Sequence, residues 1–160
     1  MGMIINPYVF GSVLGPGTTY TGVTPNTTSP YGGYTVIDRT LVLTNGKTVW
    51  SLGVLWSAAS AGKLKIVKRN SAGNYDVVVD QAISHPGGNT WLDAVLSSPF
   101  SIPGTGDYFM ASYHASGSQP FYSGSYPRAY KTGDQSVAAG ITGFTEDSAG
   151  AFPFRWTEAV

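Results

Sequence analysis

Side chains able to make or break bonds are few in this chain. Two histidines, His85 and His114, and nine carboxylates are spread over 160 residues, and cysteine is absent. A protein zinc site needs ligands at a spacing such as HxH or HExxH, which brings them onto one face. Neither histidine has such a neighbour, so no metal ligand set is expected. A glycosidase needs two carboxyl groups about 5–10 Å apart across the scissile bond. Asp93 could meet Asp76 or Asp80 at that distance across a sheet, but acids on the outward face of strands are ordinary surface residues. The adjacent pair Glu146-Asp147 falls in an expected loop, GFTEDSAG. Asp107 or Asp134, with backbone carbonyls, could lend oxygens to a calcium ion at a sandwich end, but no dense run of acids supports such a site. No GxSxG, no GxGxxG opening a helix and no P-loop occurs, so the usual warrants for nucleophilic hydrolysis and nucleotide binding are missing. The expectation is a protein that is not an enzyme and takes no cofactor.

Binding chemistry has more to work with. In the stretch ASGSQPFYSGSYPRAYKTGDQS, Phe121, Tyr122, Tyr126 and Tyr130 sit among Ser, Gly, Gln and Arg128 with few aliphatic neighbours. Flat rings beside hydrogen-bonding groups suit a sugar, whose C–H face stacks while its hydroxyls find polar partners. Tyr122, Tyr126, Arg128 and Tyr130 are therefore the glycan candidates. Tyr and Arg are also enriched at protein interfaces, so a loop covering the sandwich end or a subunit contact stays open. Nine basic residues balance nine acidic ones, which excludes the clustered positive charge of a nucleic-acid footprint. The one basic cluster, Lys63, Lys65, Lys68 and Arg69, reads as the solvated face of a strand.

These residues must be held by strands. Gly 21 and Pro 10, with few charges and many aromatics, favour a loop-connected all-β fold of one domain. TVIDRTLVL alternates Val36, Asp38, Thr40 and Val42 against Ile37, Arg39, Leu41 and Leu43, and Asn45-Gly46 follows as a type I′ hairpin signal. KTVWSLGVLWS places Trp50, Leu52, Val54 and Trp56 on one face as core candidates. KLKIVKRN turns Leu64 and Ile66 inward with Lys63, Lys65 and Val67 outward, and pairs with YDVVVDQAI through a turn at Ser71 to Asn74. WLDAVLS sets Leu92, Ala94 and Leu96 against Trp91, Asp93 and Val95. Pro99, Pro103, Gly104 and Gly106 then make a corner before DYFMASYH. AFPFRWTEA closes the sheet with Phe152, Phe154 and Trp156 inward. Turn signals recurring between short strands suggest a sandwich or barrel.

Residues 1–34 differ from the rest. After a short apolar piece, GPGTTYTGVTPNTTSPYGGY carries no charge and can neither form a helix nor bury much area. Its aromatics are unusual for a solvated spacer, so an extended arm is expected, lying on its own sandwich or on a neighbour, with Tyr8, Phe10, Tyr20 and Tyr31 as contact residues. The opening MGMIINPYVFGSVLGPG has neither a basic leader nor an unbroken apolar core, so neither a secretion signal nor a membrane span is expected. Asn6 stands where a myristoylation signal wants Ser or Thr.

The run TVWSLGVLWS, KLKIVKRN, TWLDAVLSSPFSIPGTGDYFMASYHASG and AFPFRWTEA resembles a jelly-roll module of phage virion proteins and bacterial surface proteins, over about residues 35–160. INPYVFG is similar to the starts of small phage structural proteins. The resemblance implies an antiparallel, carbohydrate-binding-like β-sandwich of jelly-roll type carrying no fixed catalytic set. The resulting expectation is a non-enzymatic virion protein, a capsid decoration or tail-fibre component, made in the host cytoplasm and located in the virion. Residues 1–34 would join it to other virion proteins, and residues 35–160 would form the sandwich. A homo-oligomer with weak glycan adhesion is expected, with no nucleic-acid or membrane partner; the competing expectation is a free lectin-type module.

Overall fold

A computed structural model describes residues 17–29, 31–117 and 119–159, and these contain strands and no helix. They form the expected all-β, antiparallel sandwich. One sheet has the order β1 (Thr18–Thr21), β14 (Phe154–Glu158), β4 (Thr48–Trp56), β7 (Thr90–Ser101). The larger has the order β11 (Ala138–Ile141), β6 (Asn74–His85), β5 (Ser60–Ser71), β8 (Asp107–His114), β3 (Tyr34–Val42), β10 (Arg128–Thr132), β12 (Thr145–Asp147). A short third sheet joins β13 (Gly150–Ala151), β9 (Gln119–Ser123) and β2 (Thr27–Ser29).

Side-chain alternation explains how the layers meet. Leu52, Val54 and Trp56 of β4, Phe154 and Trp156 of β14, Val36 of β3 and Leu64 and Ile66 of β5 all enter the core between the sheets, with Phe152. Burying each such side chain stabilises the fold by about 1.5–3 kcal/mol. Trp50, expected in that set, is only half-buried and is replaced by Val49. Between Val49 and Ser51 the register shifts against both neighbours of β4, and such a bulge inverts the facing of every residue beyond it.

The large sheet is buried on both faces. Consecutive strands β11 and β12 lie at its opposite edges, joined only by Thr142, Gly143 and Phe144. Four Cα steps reach about 14 Å, whereas the edges of a flat sheet of that order would stand about 29 Å apart. The sheet therefore curls, and its concave side encloses a second core of Ile37, Val67, Tyr75, Val77, Phe109, Ala111, Ala129 and Phe144. This overturns the outward assignment of Val67 and Lys65, both fully buried.

Two corners also differ from expectation. Asn45-Gly46 does not close a hairpin, because β3 and β4 belong to different sheets. Of its two central residues only Gly46 has positive φ, at +76°, and the Lys47 N–H donates to the Thr44 carbonyl at 3.2 Å. That matches a type II turn, whereas type I′ requires both residues there. Pro99 lies inside β7, where the register with β4 slips, and the corner itself falls after Ser101. The β5–β6 hairpin through Ser71 and Asn74 forms as expected.

The segment read as an arm is partly built into this body. β1 pairs with β14 from Thr18↔Glu158 to Thr21↔Arg155, and β2 pairs with β9. Tyr8 and Phe10 lie outside the described residues.

Candidate functional site

The placement of the ionisable groups decides what is left for solvent. Lys65 is fully buried, and its Nζ donates to Asp80 Oδ1 at 2.5 Å, Asp134 Oδ1 at 2.8 Å and the Gln135 carbonyl at 2.8 Å. Lys63 bridges the same two carboxylates at 3.0 and 2.7 Å. Burial works to raise the Asp134 carboxyl, but the hydrogen bonds and charges of both lysines hold it below its ordinary value. Lys63 and Lys65 are thus not a solvated face, whereas Lys68 stays partly exposed: a strand buried on both sides can carry a lysine in its interior only where carboxylates neutralise it.

Glu146 and Asp147 sit on β12, not in a loop, and point to opposite faces. Glu146 accepts from Arg69 Nε and Nη2 at 3.0 Å each, from the Gly73 N–H at 3.1 Å and from the Tyr75 hydroxyl at 2.5 Å, and pairs with Arg39 at 2.8 Å. It therefore ties β12 to β3, β5 and β6 across the concave face. Burial pushes its carboxyl up, but these donors and the Arg39 charge outweigh it and hold the group at about 2. The same carboxylate adds to burial in raising the Tyr75 phenol.

Asp147 accepts from Arg128 Nε at 2.6 Å and Nη2 at 3.0 Å. Arg128 is buried, its guanidinium packed over the rings of Tyr31, Phe121 and Tyr130 at 5.0–5.4 Å. Tyr31 completes this cluster against Tyr34 and Phe152, and burial raises its phenol. Arg128 and Tyr31 are therefore committed inside the molecule. Tyr20 stays partly exposed and stacks on its cross-strand partner Trp156 at 5.2 Å.

Asp93 lies on the outer face of the small sheet. Its carboxylate pairs with Arg155 on β14 through two hydrogen bonds, one of them 2.6 Å from Nε. The pair passes over Gly53 of β4, where an added Cβ would stand 2.2 Å from Asp93 Oδ1. Asp76 and Asp80 belong to the other sheet, where Asp76 accepts from Asn70 and Asp80 pairs with Lys65. Asp107 is registered against Arg69, and Asp134 is taken up by Lys63 and Lys65. Among the described residues no group of three or more His, Asp or Glu side chains is placed to hold a metal.

Both histidines are buried against Trp56, with ring centroids 5.1 Å away for His85 and 4.3 Å for His114. His85 Nδ1 accepts the Gly87 N–H at 2.9 Å. Burial lowers both imidazoles below 6.5, against the smaller opposing effect of nearby carbonyls.

Among the open grooves of the described residues, two use neighbouring stretches of the same N-terminal segment. The first, about 450 Å³, is lined by Thr21, Gly22, Val23, Thr40, Leu41, Tyr126 and Pro127. Tyr122 packs edge-on against Tyr126 at 5.3 Å. Of the glycan candidates, Tyr122 and Tyr126 thus stay together at the surface, Arg128 is buried, and Tyr130 packs against Tyr31 while lining a third groove of about 420 Å³ with Tyr34, Lys131, Thr132, Gly143 and Thr145. The second groove, about 380 Å³, is lined by Thr24, Pro25, Thr27, Thr28, Leu55, Asn89 and Pro120. Sequence reading missed it because its walls come from four separate segments; Gly87-Gly88-Asn89 was the available signal. No protein-family model matches the chain, and no curated protein or solved structure matches it either.

Proposed function

We propose that this is a non-enzymatic structural protein of a phage-like particle, a decoration or fibre component of jelly-roll type that works through surface contact. One observation supports this most. Every carboxylate except Asp107 accepts a hydrogen bond or ion pair from within the chain, including the buried Asp38, held by Thr40 and the Phe152 N–H. General acid–base and nucleophilic chemistry needs such groups free toward a substrate. The remaining surface offers hydroxyls, amides and rings, which suit adhesion. The Tyr122–Tyr126 edge and its groove are the face for weak glycan adhesion, made useful by many copies on one particle.

Attachment falls to residues 1–16, because residues 18–21 and 27–29 already complete the sheets of the body. Deleting residues 1–16 should abolish incorporation into particles while thermal unfolding of the body is unchanged. Incorporation at full stoichiometry after that deletion would refute the anchoring role, and turnover of any polysaccharide would refute the non-enzymatic reading.

A further inference from the structure

We propose that the groove around Asn89 is a saccharide subsite that takes a neutral hexopyranose unit, separate from the Tyr126 groove. The inference rests on the contact-module reading and specifies its ligand class.

The two grooves differ in the polar groups they offer. In the Tyr126 groove the Thr40 hydroxyl already donates to Asp38, Gly22, Val23, Leu41 and Pro127 bring no side-chain donor or acceptor, and only the Thr21 and Tyr126 hydroxyls are left, with no amide beside them. In the second groove the hydroxyls of Thr24, Thr27 and Thr28 and the amide of Asn89 make no hydrogen bond among the described residues, although each lines the cavity. An amide supplies donors and an acceptor side by side, and each hydroxyl can do either. That is the complement of a sugar's adjacent hydroxyls. No charged residue lines the groove, which selects a neutral ligand.

The apolar part is also in place. Leu55, Pro25 and Pro120 contribute hydrocarbon to the groove. Leu55 is the register partner of Trp91 on the outer face of the small sheet. Directly paired residues hold their side chains about 5 Å apart, so Trp91 packs beside Leu55 behind the groove wall. Arg155 packs over that indole at 4.5 Å while the guanidinium is neutralised by Asp93.

Asn89 is also pre-positioned. It is the sole non-glycine with positive φ among the described residues, at 55°, a conformation that Asn tolerates better than other side chains. The loop is tied by Gly88 N–H to the Ser57 carbonyl at 2.9 Å, Asn89 N–H to the Trp56 carbonyl at 3.1 Å, and the Thr90 hydroxyl to the Gly87 carbonyl at 2.8 Å. Little freedom is left to lose when a ligand arrives.

The test is an amide-shift NMR titration of the full chain with glucose, galactose, mannose and N-acetylglucosamine, as free sugars and linear trisaccharides, at about 10 mM to reach weak affinities. At least one probe should shift Thr24, Thr27, Thr28, Leu55 and Asn89 together. Asn89→Gly removes the amide while keeping the backbone conformation, and Thr28→Val removes one hydroxyl at constant shape; each should weaken that response at least five-fold with an unchanged spectrum elsewhere. Shifts confined to Thr21, Val23 and Tyr126 would overturn the second subsite and leave the adhesive reading standing. No shift with any probe would overturn both, and a response unaltered in Asn89→Gly and Thr28→Val would overturn the assignment of these residues.

Discussion

Replacing Glu146 by Gln removes one charge while keeping the side-chain shape, and the consequence can be worked through. The carboxyl is held at about 2 instead of 4.5, a preference for the charged form of about 3 kcal/mol at about 1.4 kcal/mol per pH unit. Its side chain is 17% exposed, so solvent screening reduces the expected loss to about 2 kcal/mol. For a chain of this size that lowers the melting temperature by roughly 4–8 °C. The pH dependence follows from the direction of the displacement. Because the folded value lies below the ordinary one, the contribution is complete above pH 4.5 and disappears as the pH falls toward about 2. Chemical denaturation of wild type and E146Q should therefore show a gap at neutral pH that closes in acid. Stabilities within about 0.5 kcal/mol of each other at neutral pH, or a gap that persists in strong acid, would refute the idea that this carboxylate closes the curled sheet.

Acid should also act through the histidines: both are held below 6.5 by burial, so stability is full above that value and falls as the pH drops below it. His114→Phe should flatten this dependence, and an equal slope in the variant would contradict it. Gly53→Ala puts a methyl 2.2 Å from Asp93 Oδ1 and 2.8 Å from Arg155 Cγ, so it should cost about 1 kcal/mol in the wild type and much less when Arg155 is already Ala. Equal costs in the two backgrounds would mean that Gly53 does not make room for the ion pair. Tyr126→Ala should weaken glycan adhesion without lowering stability, because that ring lies at the surface beside Tyr122; a large drop in melting temperature would assign it to the fold instead.

Much of the architecture was legible because period-two alternation records which face meets the inter-sheet core. Leu64 and Ile66, Leu52, Val54 and Trp56, and Phe152, Phe154 and Trp156 all lie where alternation placed them. What alternation cannot record is what covers the other face. Val67 and Lys65 looked solvent-facing because a lysine beside a valine ordinarily is, yet the curl of the large sheet encloses both. Trp50 was misplaced by a register shift that leaves no composition signal. Asn45-Gly46 marked a turn correctly but not which strands it joins, since its local preference fits more than one turn type.

The binding surface was legible in kind but not in place, for a related reason. Tyr, Arg and Ser crowded between Ala115 and Ser136 announce aromatic contact, but the sequence does not say whether a ring meets solvent or its own core. Asp147 decides it for Arg128: a guanidinium neutralised by a bidentate carboxylate can be buried, and it packs over the rings of Tyr31 and Tyr130. The same logic runs through the molecule. Lys65 with Asp80 and Asp134, and Arg69 with Glu146, let charged residues serve as interior structure. Removing one partner in any of these sets leaves an unpaired charge in a poorly solvated place, which costs more than the pair contributes. Charge here holds strands to one another, and the grooves at Tyr126 and Asn89, lined without a charged side chain, are left open to a neutral ligand.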